Sequence, residues 1–276
     1  MRAAILQTCT GIDPLLNTRA LVEAVERAVG EGADMLFTPE MSGLLDRDRA
    51  RAAAHIVAEG ENVTLAAVRE AAAKHGLWVH LGSLALRAGG TETHYANRGF
   101  VIDGDGAIRA RYDKMHLFDV DLPTGESWRE SAVYAPGTRA VAVETPWGRL
   151  GLSICYDLRF PDLYRALSDA GAVMLAVPAA FTVPTGRAHW HALLRARAIE
   201  SACFVLAAAQ SGRHADGRET FGHSLTVDPW GEVVLDMGEG EGLAIAELDM
   251  ARLNDVRARI PVLAHRRPIG PVEVMR

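Results

Sequence analysis

The chain has 276 residues, 49% of them hydrophobic, and carries a formal charge of −6. That length allows one large domain or two small ones, and the apolar share supplies a sizeable core. The acidic balance and the lack of a basic run argue against a nucleic-acid or anionic-membrane partner, and no apolar stretch reaches the length of a bilayer span.

The N-terminus, MRAAILQTCTG, enters a strand pattern at once and lacks the apolar core of a signal peptide. Asn17 or Thr18 can cap a helix whose apolar positions Leu21, Val22, Val25, Ala28 and Val29 share one face, with Gly30 and Gly32 ending it. ADMLFTPE reads as a buried strand that stops at Pro39 and Glu40. Residues 62–75 read as a second helix closed by Gly76, LWVHLGSLAL as a strand, and RGFVIDGDGAIRARYDKMH as a hairpin turning at DGDG. The second half repeats this plan. Gly-Ala-x-Met-Leu-x-x-Pro occurs at residues 32–39 and again at 171–178, and FVIDGDGAI resembles LTVDPWGEV. Two such halves predict an α/β fold with two sheets packed face to face and helices outside. No Pro-, Ser- or Gly-rich linker divides them, so residues 1–276 are expected to form a single domain with a C-terminal tail from about 262 to 276. Three widely spaced cysteines, Cys9, Cys155 and Cys203, suit free thiols in a reducing cytoplasm and exclude a CxxC zinc knuckle.

GRLGLSICYDLRFPDLYRAL carries the strongest chemical signal. Leu150, Leu152 and Ile154 alternate with Gly151, Ser153 and Cys155 as in a half-buried strand, and Pro161 with Asp162 opens a helix. Cys155 therefore falls where a strand gives way to a turn, a place where backbone N–H groups converge and can hold a developing oxyanion. A core cysteine is the alternative. Glu40 ends a long apolar run, and a desolvated carboxylate makes a better general base; a turn-capping role is the alternative. Lys114 follows AIRARYD. A lone lysine is ordinarily solvated, yet of the 29 basic residues all but Lys74 and Lys114 are arginine. A lysine where arginine is the default points to a need for a compact ammonium. Lys74, at the end of an alanine-rich helix, reads as ordinary surface. All three candidates lie at the C-terminal ends of predicted strands, where α/β sheets gather their sites. The chemistry they could perform is hydrolysis of an amide through a thioester: Glu40 takes the thiol proton, Lys114 and the Tyr156 N–H hold the oxyanion, ammonia leaves, and Glu40 then activates water.

LFTPEMS, RYDKMHLFDVD and GLSICYDLRFPDL resemble, in order, the Glu, Lys and Cys motifs of the nitrilase, or carbon–nitrogen hydrolase, superfamily, and the likeness runs along nearly the whole chain. The resemblance implies a four-layer α-β-β-α sandwich, the set Glu40, Lys114 and Cys155, no cofactor, and a second carboxylate matched by Glu130. GRAHWHALLRARAIE, AAAQSGRH and FGHSLTVDPWGEV are similar to the deaminated-glutathione amidases and, less closely, to the ω-amidases. That branch implies a small-molecule substrate, an α-keto acid with a terminal amide, with Arg159, Phe181 and Thr185 lining the pocket. Arg187 departs from the pattern, which has proline before AHW. Nitrilase and N-carbamoyl hydrolase chemistry share the same three residues and stay open.

A papain-like Cys–His pair finds no matching cysteine motif. His189 and His191, two apart on a predicted helix, cannot face one metal ion together, and a silent binding protein should have lost part of the set. DPWGEV and DGDG read as turns, since calcium-loop spacing is missing. The predicted helices at 161–170 and 188–201 have apolar faces, including Leu163, Leu167, Trp190, Leu193 and Leu194, through which a homodimer or larger assembly is expected.

Overall fold

Strand β1 (Arg2–Gln7) sets the layering of the molecule. Ala3 and Ile5 face one apolar cluster and Ala4 the other, as the two-residue period of a strand requires. The computed structural model describes residues 1–87, 95–122 and 125–275. After β1 come α1 (Pro14–Gly30), β2 (Met35–Phe37), the short α2 (Arg49–Ala53), α3 (Val63–His75), β3 (Trp78–Arg87), β4 (Tyr95–Ile102) and β5 (Ile108–Asp113). A hairpin, β6 (Asp119–Asp121) and β7 (Ser127–Arg129), leads to β8 (Val141–Thr145), β9 (Gly148–Leu152), α4 (Pro161–Asp169), β10 (Met174–Ala176), α5 (Val183–Ser201) and β11 (Phe204–Ala207). A second hairpin, β12 (Ser211–Arg213) and β13 (Glu219–Phe221), precedes β14 (Leu225–Val227), β15 (Val233–Asp236), β16 (Gly242–Glu247) and α6 (Met250–Arg259).

Two six-stranded sheets result, ordered β16-β1-β2-β3-β4-β5 and β15-β14-β11-β10-β9-β8. Read from opposite ends, their pairings match strand for strand: antiparallel, parallel, parallel, antiparallel, antiparallel. The repeat expected from the sequence is therefore structural. Met35 of β2 and Met174 of β10 occupy equivalent rungs beside β1 and β9. The turns agree too. In the first, Asp103 N donates to the Ala107 carbonyl at 3.0 Å and Gly106 N to that of Asp103 at 2.9 Å; in the second, Asp228 N donates to Glu232 and Gly231 N to Asp228, both at 2.9 Å. Ile5, Met35, Phe37 and Val101 of the first sheet share one cluster with Leu150, Leu152, Leu175 and Val205 of the second. Helices α1 and α3 cover the outer face of the first sheet through Leu21, Val25, Leu65 and Val68. The fold is the expected α-β-β-α sandwich.

Two boundaries and one apolar face differ from expectation. Helix α1 begins at Pro14 and is capped by Asp13, whose carboxylate accepts from Leu15 N and Leu16 N, not by Asn17 or Thr18. The apolar stripe starts only at Leu21 because Leu15 and Leu16 are exposed, so periodicity hides the first turn. Helix α5 starts at Val183 rather than near 188, with Pro184 in its first turn. Leu163, Leu167, Trp190 and Leu194, expected to pair with a second copy, are buried within their own chain.

Candidate active site

Glu40 follows β2, Lys114 follows β5 and Cys155 follows β9, so the first two come from one sheet and the third from the other. The local chain is built to hold each of them. Cys155 opens a single 3-10 turn, Cys155–Arg159, with φ +50°, and Met41 beside Glu40 has φ +56°. Left-handed geometry at non-glycine residues costs on the order of 1–2 kcal/mol and persists where surroundings enforce it. Here Cys155 N donates to the Pro178 carbonyl at 2.8 Å and Met41 N to Ser83 Oγ at 2.9 Å. Gly82 in β3 runs so close behind Glu40 that a Cβ there would lie 2.1 Å from the Thr38 carbonyl oxygen and 2.4 Å from that of Pro39.

The side chains converge. Lys114 Nζ donates to Glu40 Oε1 at 2.8 Å and to Glu130 Oε2 at 2.9 Å. Asn97 Nδ2 donates to the same two carboxylates, at 2.8 and 3.2 Å. Glu40 Oε2 accepts from Ala180 N at 3.0 Å, which ties the first sheet's carboxylate to the chain just past β10. Gln210 Nε2 holds the Glu40 carbonyl at 2.9 Å. Glu40, Lys114 and Cys155 are all buried, and Glu130 is half-buried. Burial works against the Lys114 charge, but Glu130 and Glu40 outweigh it and hold the ammonium well above the usual lysine range. Burial, and then the Glu40 carboxylate, push the Cys155 thiol well above its ordinary range. The resting sulfur is thus a thiol whose proton has an acceptor beside it.

A fully buried carboxylate that sequence reading misses, Asp157, fixes the turn. It accepts from Ile154 N at 2.8 Å, Tyr112 OH at 2.7 Å and His116 N at 3.0 Å, and His116 Nδ1 stands 2.7 Å away. Tyr112 and His116 flank Lys114, so Asp157 couples the cysteine turn to the lysine segment. His116 stacks on Phe160 at 3.6 Å and serves this frame.

A cavity of about 580 Å³ opens onto Cys155, Glu40, Lys114 and Glu130, and Phe181, Thr185 and Tyr156 line it as well. Arg159 does not line it. Its guanidinium sits 5.5 Å from the Phe181 ring centre and 5.9 Å from that of Tyr156, and Nη1 reaches His189 Nδ1 at 3.3 Å. Arg187 is exposed in the first turns of α5, not in a loop, and lies outside the cavity lining. Elsewhere, His191, His223 and Asp236 bring three donor atoms within 4.8 Å of one another, a grouping the His189–His191 spacing does not foreshadow. Asp236 already accepts from both imidazoles, at 2.9 Å each. None of the three lines the cavity.

The two facing sheets thus bring a buried acid, a lysine and a thiol together at one cavity. A match to the carbon–nitrogen hydrolase family spans residues 2–258, and the chain belongs to that family. It is 39% identical over 265 residues to the deaminated glutathione amidase of Yersinia enterocolitica, covering 96% of this chain and 92% of that protein. The crystal structure of the C. elegans NitFhit protein matches with a TM-score of 0.89 and 40% identity, over 96% of this chain and 65% of that one. A mutant amidase from Nesterenkonia sp. AN1, in which acrylamide has added to the active-site cysteine, matches with a TM-score of 0.78 and 27% identity, over 95% of this chain and 98% of that one. The chain is an amide-hydrolysing enzyme of the family. No helix among the described residues is long and apolar enough to cross a membrane.

Proposed function

We propose that the chain hydrolyses the ω-amide of an α-keto acid, with deaminated glutathione as its substrate, through a thioester on Cys155. The carrying observation is the cavity that presents a buried thiol, a carboxylate within reach of its proton, and an ammonium held by two carboxylates. Glu40 takes the Cys155 proton as sulfur attacks the carbonyl carbon, and the π pair moves to oxygen. Lys114 has three N–H donors; two directions go to Glu40 and Glu130, and the third is available to the oxyanion beside the Tyr156 N–H. Collapse breaks the C–N bond, and Glu40 returns its proton to the departing nitrogen. Glu40 then draws a proton from water, which attacks the thioester, and the second collapse restores the thiol and releases the acid. A primary amide would release ammonia. With deaminated glutathione the nitrogen belongs to a cysteinylglycine dipeptide, so the product is that amine. The likeness to deaminated glutathione amidases favours the amide reading. A panel of keto-acid amides, aliphatic nitriles and N-carbamoyl acids tests it: keto-acid amides should give the highest kcat/KM, and better cleavage of nitriles would overturn it.

We further read the chain as a cytoplasmic homodimer. Three free cysteines support the compartment, which cell fractionation checks. The apolar side chains Ile199, Trp230, Val233 and Val234, each 42–49% exposed, support pairing on residues other than those the sequence suggests. Light scattering should give a dimer, and a clean monomer at micromolar concentration would contradict it.

A further inference from the structure

The cavity is larger than ammonia release requires. About 580 Å³ is the size class that encloses a drug-sized ligand. Its buried end holds Cys155 and Lys114, while its exposed end carries Arg47, Trp128 and Arg218. Both guanidiniums lie on the same indole, Arg47 at 5.2 Å and Arg218 at 5.3 Å from the ring centre. One buried carboxylate sets both arginine segments in place: Asp216 accepts from Arg47 N at 2.9 Å, Arg218 N at 3.0 Å and Arg218 Nε at 2.8 Å. Asp216 neutralises Arg218, but the Arg47 guanidinium forms no ion pair among the described residues. The Trp128 Nε1–H is buried and has no acceptor among the described residues. Asp46 is taken by Arg51 at 2.6 Å, and Glu126 and Glu219, which also line the cavity, pair with neither guanidinium. One guanidinium without an ion pair, that of Arg47, and an indole N–H without an acceptor therefore meet on a frame that Asp216 and Arg218 preset.

We propose that Arg47, Trp128 and Arg218 bind a carboxylate on the leaving-group side of the substrate, so that the enzyme selects amides whose nitrogen carries a short peptide ending in a free carboxylate. This rests on the keto-acid amide reading and extends it: the acyl half reacts at the buried end, and the terminal carboxylate of the amine half is held at the exposed end. A carboxylate offers two oxygens to guanidinium and indole donors, and hydrogen bonds to a charged group are the strong ones.

The test compares deaminated glutathione, its C-terminal carboxamide and the primary ω-amide of the same keto acid, with parent, Arg47→Ala and Trp128→Phe. The parent should prefer the carboxylate over the carboxamide. Arg47→Ala should raise KM for the carboxylate substrate about ten- to hundred-fold, with kcat changed far less, and bring the preference close to one. Trp128→Phe keeps an aromatic surface for both arginines and removes the N–H, so it should lower the preference several-fold; it guards against a loop collapse in the alanine variant. An Arg47→Ala enzyme that keeps the parental preference overturns the proposal. So does a parent that cleaves the primary amide but neither peptide substrate, which keeps the ω-amide chemistry and removes deaminated glutathione as the substrate. A parent that cleaves none of the three removes both.

Discussion

Lys114 sits where only a compact cation fits. Its Nζ meets Glu40 at 2.8 Å and Glu130 at 2.9 Å inside a buried site, in a chain that uses arginine at almost every other basic position. A guanidinium is wider, spreads its charge over three nitrogens, and would displace one carboxylate or the substrate carbonyl. Lys114→Arg should therefore lower kcat on the order of 10²–10³-fold, the usual cost of losing one oxyanion donor. Lys74→Arg is the control, since Lys74 is exposed and pairs loosely with Glu26 at 3.4 Å. Steady-state kinetics of both variants, with thermal melts to exclude unfolding, check this; near-parental kcat in Lys114→Arg would make Lys114 a structural cation. Glu40 and Cys155 stand out in the sequence because each closes a local apolar pattern, and Lys114 because lysine occurs at only two positions; the structure brings the three to one cavity. Asn97 and Asp157 do not stand out. Asn97 is a polar residue within β4, and its partners Glu40 and Glu130 lie 57 and 33 residues away, so only the folded chain brings them together. Of the donors to Asp157 only Ile154 is local, while Tyr112 and His116 lie 45 and 41 residues away.

Strand β3 positions Glu40 by its closeness. Gly82 faces the Thr38 and Pro39 carbonyl oxygens, and Gly82 N donates to Thr38 Oγ1 at 3.0 Å. Gly82→Ala drives a methyl into backbone atoms that cannot swing aside. The expected outcome is a loss of about 1–3 kcal/mol of stability, the range for an overpacked core, together with reduced kcat as Glu40 shifts. Denaturant melts and kinetics on the same preparation check it; a variant matching the parent in both would show that the strand end tolerates displacement. The repeated Asp-turn-Gly hairpins are readable because a turn carries its own residues. Helix α1 is readable at its C-terminal end and not at its start, where the Asp13-Pro14 pair is the relevant sign and the apolar stripe is silent.

The two halves share topology but not chemistry. Met35 and Met174 are equivalent, so Glu40 of the first half corresponds to Ala179 of the second. One half supplies the acid and the lysine, the other the thiol, and the site lies where the sheets meet. Burial between these layers also gives stability a pH dependence. His80, within β3, is pushed down to about 3 by burial. Its folded pKa lies below the unfolded value near 6.5, so between those limits the unfolded chain binds one more proton. Stability should be full above about pH 6.5 and fall as pH drops, by about 1.4 kcal/mol per unit from this group at most. Thermal melts from pH 7 to 4.5 should show the decline, and His80→Leu should flatten it; an unchanged slope in that variant would assign the acid sensitivity elsewhere. The central claim concerns a covalent bond at the junction of the sheets, and intact-protein mass spectrometry after acid quench during turnover tests it most directly. The parent should carry the acyl half of the substrate on Cys155, with Cys155→Ala folded, unlabelled and inactive. Turnover by Cys155→Ala, or acylation at any other residue, would contradict it.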